Sequence, residues 1–204
     1  MKTLTLLGTT LGFAFAAGLN LYATVLVIGL VVRFGWIALP APLASLSVLG
    51  HPIVLTVAGV MYAIEFLADK IPAVDHVWDM VHTVIRPVGA AWIAWRAVGG
   101  AGLSEPAEIA LLLAAGGVAL TAHAGKAGTR LATAVTGGHF IGLAILLSLL
   151  EDAIAFIVAP LAILKPLLVL SLVVVGLVGL CVMIVLGLRA FRRRRPRGTL
   201  APAG

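Results

Sequence analysis

The sequence predicts an all-α fold, a polytopic helical membrane bundle of about six transmembrane helices, and three observations predict it. Hydrophobic residues fill 62% of the 204 positions and charged residues only 11%, against about 45–50% and about 25% in ordinary soluble domains. The apolar residues also gather into runs near the ~20 residues that cross a bilayer. Finally, the net charge of +6 is local: Arg189, Arg192, Arg193, Arg194, Arg195 and Arg197 supply six of the fourteen Lys and Arg, leaving eight bases to match eight acids. A soluble enzyme, a disordered chain and a secreted disulfide scaffold are excluded by this composition. Cys181 is the single cysteine, so no intrachain disulfide forms. The expected organisation is one transmembrane domain over residues 1–188 followed by a basic cytoplasmic tail, 189–204. The tail is a topology signal, and nucleic acid is not an expected partner.

Met1–Phe34 is apolar apart from Lys2, Asn20 and Arg33. As one helix it would reach about 50 Å at 1.5 Å per residue, beyond the ~30 Å hydrocarbon core. A break is therefore expected at Ala17-Gly18-Leu19-Asn20. A cleavable signal peptide is the weaker reading, because the apolar run continues past any small-residue cleavage site. Phe34–Gly50, with Pro40 and Pro42, reads as a loop at the interface. His51–Leu67 is a second span, and Pro72 opens a short helix, Ala73–Ile85, which Pro87 is expected to end. Trp92, Trp95 and Arg96 suit a helix meeting headgroups. Gly99–Gly102 is a linker, and Ser104-Glu105-Pro106 starts the next helix. Ala107–Ala122, His139–Val158 and Leu167–Leu188 complete the set, with Pro160 and Pro166 bracketing a turn. Lys70, Arg86, Lys126, Arg130 and the tail then share the inner side, which places both termini in the cytoplasm and the chain in the inner membrane.

An offset of 88 aligns Gly29 with Gly117, Gly50-His51 with Gly138-His139, and Pro72 with Pro160. Residues 1–99 and 104–188 are thus candidate inverted three-helix halves with broken or re-entrant helices, an architecture of transporters. The charged residues do not superpose.

An ionisable group in hydrocarbon costs about 2.5–3.5 kcal/mol on insertion scales, so each needs a reason. Asp75, Asp79, His82 and Arg86 fall near 0°, 40°, −20° and 20° at about 100° per residue, one narrow helical stripe. Asp75, Asp79 and His82 could ligate a divalent cation or pass protons, the latter helped by an unperturbed histidine pKa of about 6.5. The competing reading is an amphipathic interfacial helix with its stripe in water. Glu65 and Asp69 share a face ahead of Lys70, and His123, Lys126 and Arg130 share another. Glu151 and Asp152 lie deep in a span and point about 100° apart, so they need partners from other helices. Asn20, at the expected break, could add an amide ligand.

Gly18-Leu19-Asn20-x-Tyr22, the block from Glu65 and Ala68-Asp69-Lys70-Ile71-Pro72 through Asp75, Trp78-Asp79 and His82-Thr83 to Arg86-Pro87, then His123, Lys126-Ala127 and Thr129-Arg130, and Ser148 with Glu151-Asp152 together resemble the bacterial membrane family called domain of unknown function 4126. The likeness spans roughly residues 8–160. It implies that the four polar groups form one signature, and it brings no activity. Glu65, Asp69 and Lys70 are also faintly similar to the acidic motif of inverted-repeat manganese/calcium–proton exchangers, with altered spacing and Ile71 in place of a hydroxyl residue.

The expected function is transport of a small solute or cation through a buried charged site, with the bilayer and that solute as partners. Further copies of the chain are an additional option. A scaffold held by intramembrane salt bridges and a metal-dependent membrane enzyme are the alternatives. No hydrolase or phosphate-loop motif favours the enzyme.

Overall fold

A computed structural model describes residues 3–135 and 141–194. Among them the chain forms seven α-helices and one 3₁₀ helix: α1 (Thr3–Leu19), α2 (Leu21–Phe34), the 3₁₀ helix (Ala41–Gly50), α3 (Pro52–Ala68), α4 (Pro72–Val98), α5 (Glu105–Val135), α6 (Ile141–Leu164) and α7 (Pro166–Arg194). The expected break in the first apolar stretch is present and one residue wide. Asn20 is extended at φ −150° and ψ 105°, and its side-chain oxygen caps α2 by accepting the Ala23 N–H. Capping groups of this kind satisfy donors that a new helix start leaves orphaned.

α1 is the hub, packed against α2, α4, α5, α6 and α7. Its glycines and alanines permit that crowding. A Cβ on Gly12 would lie 2.5 Å from Val169 Cγ1 and 2.8 Å from Ala162 Cβ. A Cβ on Gly18 would meet the Ala119 backbone, 2.8 Å from its Cα, and Ala122 Cβ at 2.8 Å. Small residues bring helix backbones together where lipid offers no hydrophobic drive for association. Gly18→Ala is therefore expected to destabilise the fold by about 1–3 kcal/mol, the usual range for overpacking. Gly117, with open space around its Cα, is the control: alanine there should be neutral or slightly stabilising. Thermal unfolding in detergent compares the two, and equal midpoints would refute the close α1–α5 approach.

The interface loop is more ordered than expected. Leu43, Leu46 and Leu49 are all fully buried, and their spacing of three is the 3₁₀ repeat, which puts them on one face. Arg96 holds that segment to α4, its Nη2 donating to the Ser45 carbonyl at 2.9 Å, while the Ser45 hydroxyl donates to the Arg96 carbonyl.

Two proline expectations are corrected. Pro87 does not end a short helix but lies inside α4, and Pro160 lies inside α6. Proline removes one intrahelical N–H, yet in a packed apolar bundle neighbouring helices hold both flanks in line. The turn comes later, at Lys165, with Pro166 opening α7, a position that needs no N–H. The residues aligned at an offset of 88 do not occupy like places. Pro72 opens a helix whereas Pro160 is internal, and Gly29 is pressed on Leu49 whereas Gly117 is open. Gly138-His139 lies outside the described residues.

Much of the surface is apolar, and the charges of the α3–α6 cluster are inside. Val77, Met80, Val84 and Val88 of α4 and Val175 of α7 are exposed, while Glu65, Arg86, His123 and Lys126 are buried. A water-soluble fold shows the reverse. Among the described residues two helices are long and apolar enough to cross a membrane, over Glu105–Gly128 and Ile145–Leu164. The 3₁₀ helix and α3, bent by 69°, add a third if they count as one broken or re-entrant span. α1, α2 and Pro166–Val182 are apolar but shorter.

Candidate functional site

The α4 stripe faces inward. Asp75, Asp79, His82 and Arg86 are all buried while Val74, Val77, Val81 and Ile85 are exposed, so an interfacial helix with its stripe in water is ruled out. His82 stacks on Trp78 with ring centroids 4.6 Å apart. Its Nδ1–H donates to the Trp78 carbonyl at 2.8 Å, because a carbonyl only accepts, and Nε2 is then left to accept the Tyr22 hydroxyl at 3.1 Å. Both ring nitrogens are used. Among the described residues no three His, Cys, Asp or Glu side chains are grouped to hold a metal ion. Asp75, Asp79 and His82, expected as ligands of a divalent cation, are thus not grouped as three in this structure. Helical spacing put these residues on one face, but the ring turns back along its own helix and toward α2.

Arg86 is the centre of the first half of the site, with no exposed surface. Its Nη2 pairs with Glu65 Oε1 from the end of α3. Nη1 donates to the Gly18 carbonyl at 3.0 Å and to His123 Nδ1 at 2.6 Å. Gly18 lies in the last turn of α1, where carbonyls lack helical donors and the dipole is negative, so a guanidinium suits the break. Since His123 Nδ1 accepts from Arg86, its proton sits on Nε2, which points at the Asp79 carbonyl at 3.0 Å. Thr83 Oγ1 adds a contact to the same nitrogen at 3.2 Å.

Lys126, one turn further along α5, is the second centre. Its Nζ lies 2.9 Å from Asp69 Oδ2, 3.5 Å from Glu151 Oε2 and 3.8 Å from Glu65 Oε1. Ser148 Oγ, on α6, approaches the same Asp69 oxygen at 3.4 Å. Glu151 and Asp152 diverge as helical geometry requires. Glu151 joins Lys126, whereas Asp152 accepts from Asn20 Nδ2 at 2.8 Å. Asn20 thus caps α2 with its oxygen and holds α6 with its amide. The carboxylate rests beside the positive end of α2, and the guanidinium beside the negative end of α1.

A family model described as Domain of unknown function (DUF4126) matches residues 7–186. The chain belongs to that family. No curated protein and no solved structure matches this DUF4126 chain.

Of the expected site residues, Glu65, Asp69, Arg86, His123, Lys126 and Glu151 form one network in this DUF4126 protein, with Asn20 and Asp152 at its α2 edge. Asp79 joins through its carbonyl, and Asp75 is buried on the same stripe. Lys70 turns to the Phe66 carbonyl at 2.7 Å and over the Phe66 ring. The Arg130 side chain lies outside the described residues. Tyr22, Thr83, Ser148 and the Gly18 carbonyl were not expected as partners. Helical spacing could have found two of them, since Thr83 is i+4 from Asp79 and Ser148 is i−3 from Glu151.

Proposed function

We propose that the protein is an integral membrane carrier for a small cation or solute, working by proton or cation exchange at the carboxylates around Lys126. One observation carries the reading: a single buried ammonium has three carboxylate neighbours, Glu65 from α3, Asp69 at its C-terminal cap and Glu151 from α6, between 2.9 and 3.8 Å away. A proton or cation that takes one carboxylate leaves Lys126 the others, so the ammonium can shift between α3 and α6. That shift is a discrete rearrangement of the kind alternating access needs. The interrupted α1–α2 segment, with opposite charges at its two facing ends, supports the same reading, because discontinuous helices build transporter sites.

In this proposal α1 with α2, and the 3₁₀ helix with α3, each make one interrupted crossing, and α4 to α7 make four more. Both ends then lie on the cytoplasmic side of the cytoplasmic membrane. A structural scaffold is the second reading, and it is favoured by the Glu65–Arg86 pair, in which both side chains are wholly buried. Such a pair specifies packing without moving anything.

Flux in liposomes separates the readings. Driven by a pH gradient and followed with an internal pH dye, the wild type should show proton-coupled cation flux. Glu151→Gln should lower it at least tenfold at unchanged folded amount. Equal flux in both proteins would leave the scaffold account standing.

A further inference from the structure

Asp152 differs from the acids around Lys126. Glu65 pairs with Arg86, and Glu65, Asp69 and Glu151 all reach Lys126. Among the described residues no base pairs with Asp152, although only 5% of its surface is exposed. Its two oxygens are also unequal. Oδ1 accepts the Asn20 amide at 2.8 Å, and the direction of that bond is fixed, because the Asn20 oxygen is held by the Ala23 N–H. Oδ2 is buried and has no hydrogen-bond partner among the described residues. A buried carboxylate calls for donors at both oxygens. A carboxylic acid needs one only at its carbonyl oxygen, since the other carries the hydrogen. The Tyr62 phenol of α3, whose ring meets Phe156 of α6 edge-on, stands beside the carboxyl, and its oxygen is an acceptor for that hydrogen.

We infer that Asp152 is a proton-binding site, with Oδ2 carrying a hydrogen at neutral pH. The charges around it favour that neutral form. Glu151 is its neighbour on α6, and Asp69 at the cap of α3 adds a second negative charge. Lys126 of α5 and Lys70 beyond α3 act on it from outside pairing distance, Lys126 being engaged by three acids and Lys70 by the Phe66 carbonyl. α1 and residues 166–188 of α7 bring no acid or base. α2 brings Tyr22, bonded to His82, and Arg33 at its far end. A charge buried without a partner is costly enough that the group neutralises instead. The proton is nonetheless exchangeable, because the positive end of α2 and the Asn20 amide can receive the ionised form. On release the hydrogen leaves Oδ2 as H⁺, and the Tyr62 hydroxyl turns to donate to the carboxylate left behind. The inference deepens the carrier reading by naming a proton as the exchanged ion and Asp152 as the carboxyl that holds it. It rests on that reading only for the use of the proton in transport.

Infrared spectra of the full-length protein in phosphatidylcholine vesicles at neutral pH test the site. The wild type should show the C=O stretch of a protonated carboxyl above the amide band. Asp152→Asn should remove that band, and Glu151→Gln should keep it. The asparagine amide reproduces both contacts of the acid, accepting from Asn20 and donating toward Tyr62, so Asp152→Asn should also unfold at the wild-type midpoint. Tyr62→Phe should move the band to higher frequency, and it carries the test alone if Asp152→Asn folds poorly. Absence of the band from the wild type, or a band unchanged by the variant that carries the test, would overturn the inference. None of these results depends on flux. A band lost in Asp152→Asn from a protein without proton-coupled flux would keep the proton site and remove the carrier reading.

Discussion

Arg86→Met is expected to destabilise the protein more than any other single change on the α4 stripe. The side chain has no exposed surface and contacts Glu65, the Gly18 carbonyl and His123 together. Methionine keeps much of the volume but removes every donor. Glu65 is then a buried carboxylate without its closest cation, and breaking one side of a buried pair costs about 3–5 kcal/mol. Total stability of a domain is only about 5–15 kcal/mol, so folded yield should fall sharply. The partner variant decides the cause. Glu65→Gln combined with Arg86→Met should recover a large part of the loss, since no uncompensated charge remains. A double-mutant cycle on unfolding midpoints measures this coupling. If the double variant were as unstable as Arg86→Met alone, the guanidinium would matter for the α1 carbonyl and His123, and its pairing with Glu65 would be incidental.

The parts legible in the sequence were those set by short-range geometry. Helical arithmetic put Asp75, Asp79, His82 and Arg86 on one stripe, and the structure buries all four. The same arithmetic sent Glu151 and Asp152 to different partners, and chain length against bilayer thickness called for the break expected within Ala17–Asn20, which falls at Asn20. What failed depends on contacts far along the chain. Pro87 and Pro160 have a local tendency to end helices, and tertiary packing overrides it in α4 and α6. Spacing also fixes a face but not a rotamer, and the His82 ring meets Tyr22, 60 residues earlier. The Asn20–Asp152 bond joins residues 132 apart, and no periodicity in one sequence links them. The 3₁₀ helix was hidden for another reason. Its leucine spacing of three is visible, but a run of ten residues is unusually long for that helix.

Lys126 and its acids should respond unequally to substitution, and the inequality follows from their numbers. Lys126→Met removes an ammonium that contacts Asp69, Glu151 and Glu65 together. The carboxylates then repel one another in a buried setting, and the loss should approach the about 3–5 kcal/mol seen when a buried charge loses its partner. Removing one acid is different. Glu151→Gln keeps the shape, and at 3.5 Å its oxygen is farther from Nζ than that of Asp69 at 2.9 Å. Lys126 retains Asp69, and one repulsive contact disappears, so stability should change by less than about 1 kcal/mol. Asp69→Asn should fall between, because it removes the shortest contact to Nζ and alters the one from Ser148. Unfolding midpoints in one detergent at neutral pH give the order, with Lys126→Met lowest, then Asp69→Asn, then Glu151→Gln near wild type. Lowering the pH should narrow the gap for Lys126→Met, since protonating the surrounding carboxylates removes the repulsion that the substitution exposes. If Glu151→Gln proved as damaging as Lys126→Met, the ammonium would be tied to Glu151 alone. A fixed pair of that kind has no second partner to move to, and the exchange proposed at this cluster would fail with it.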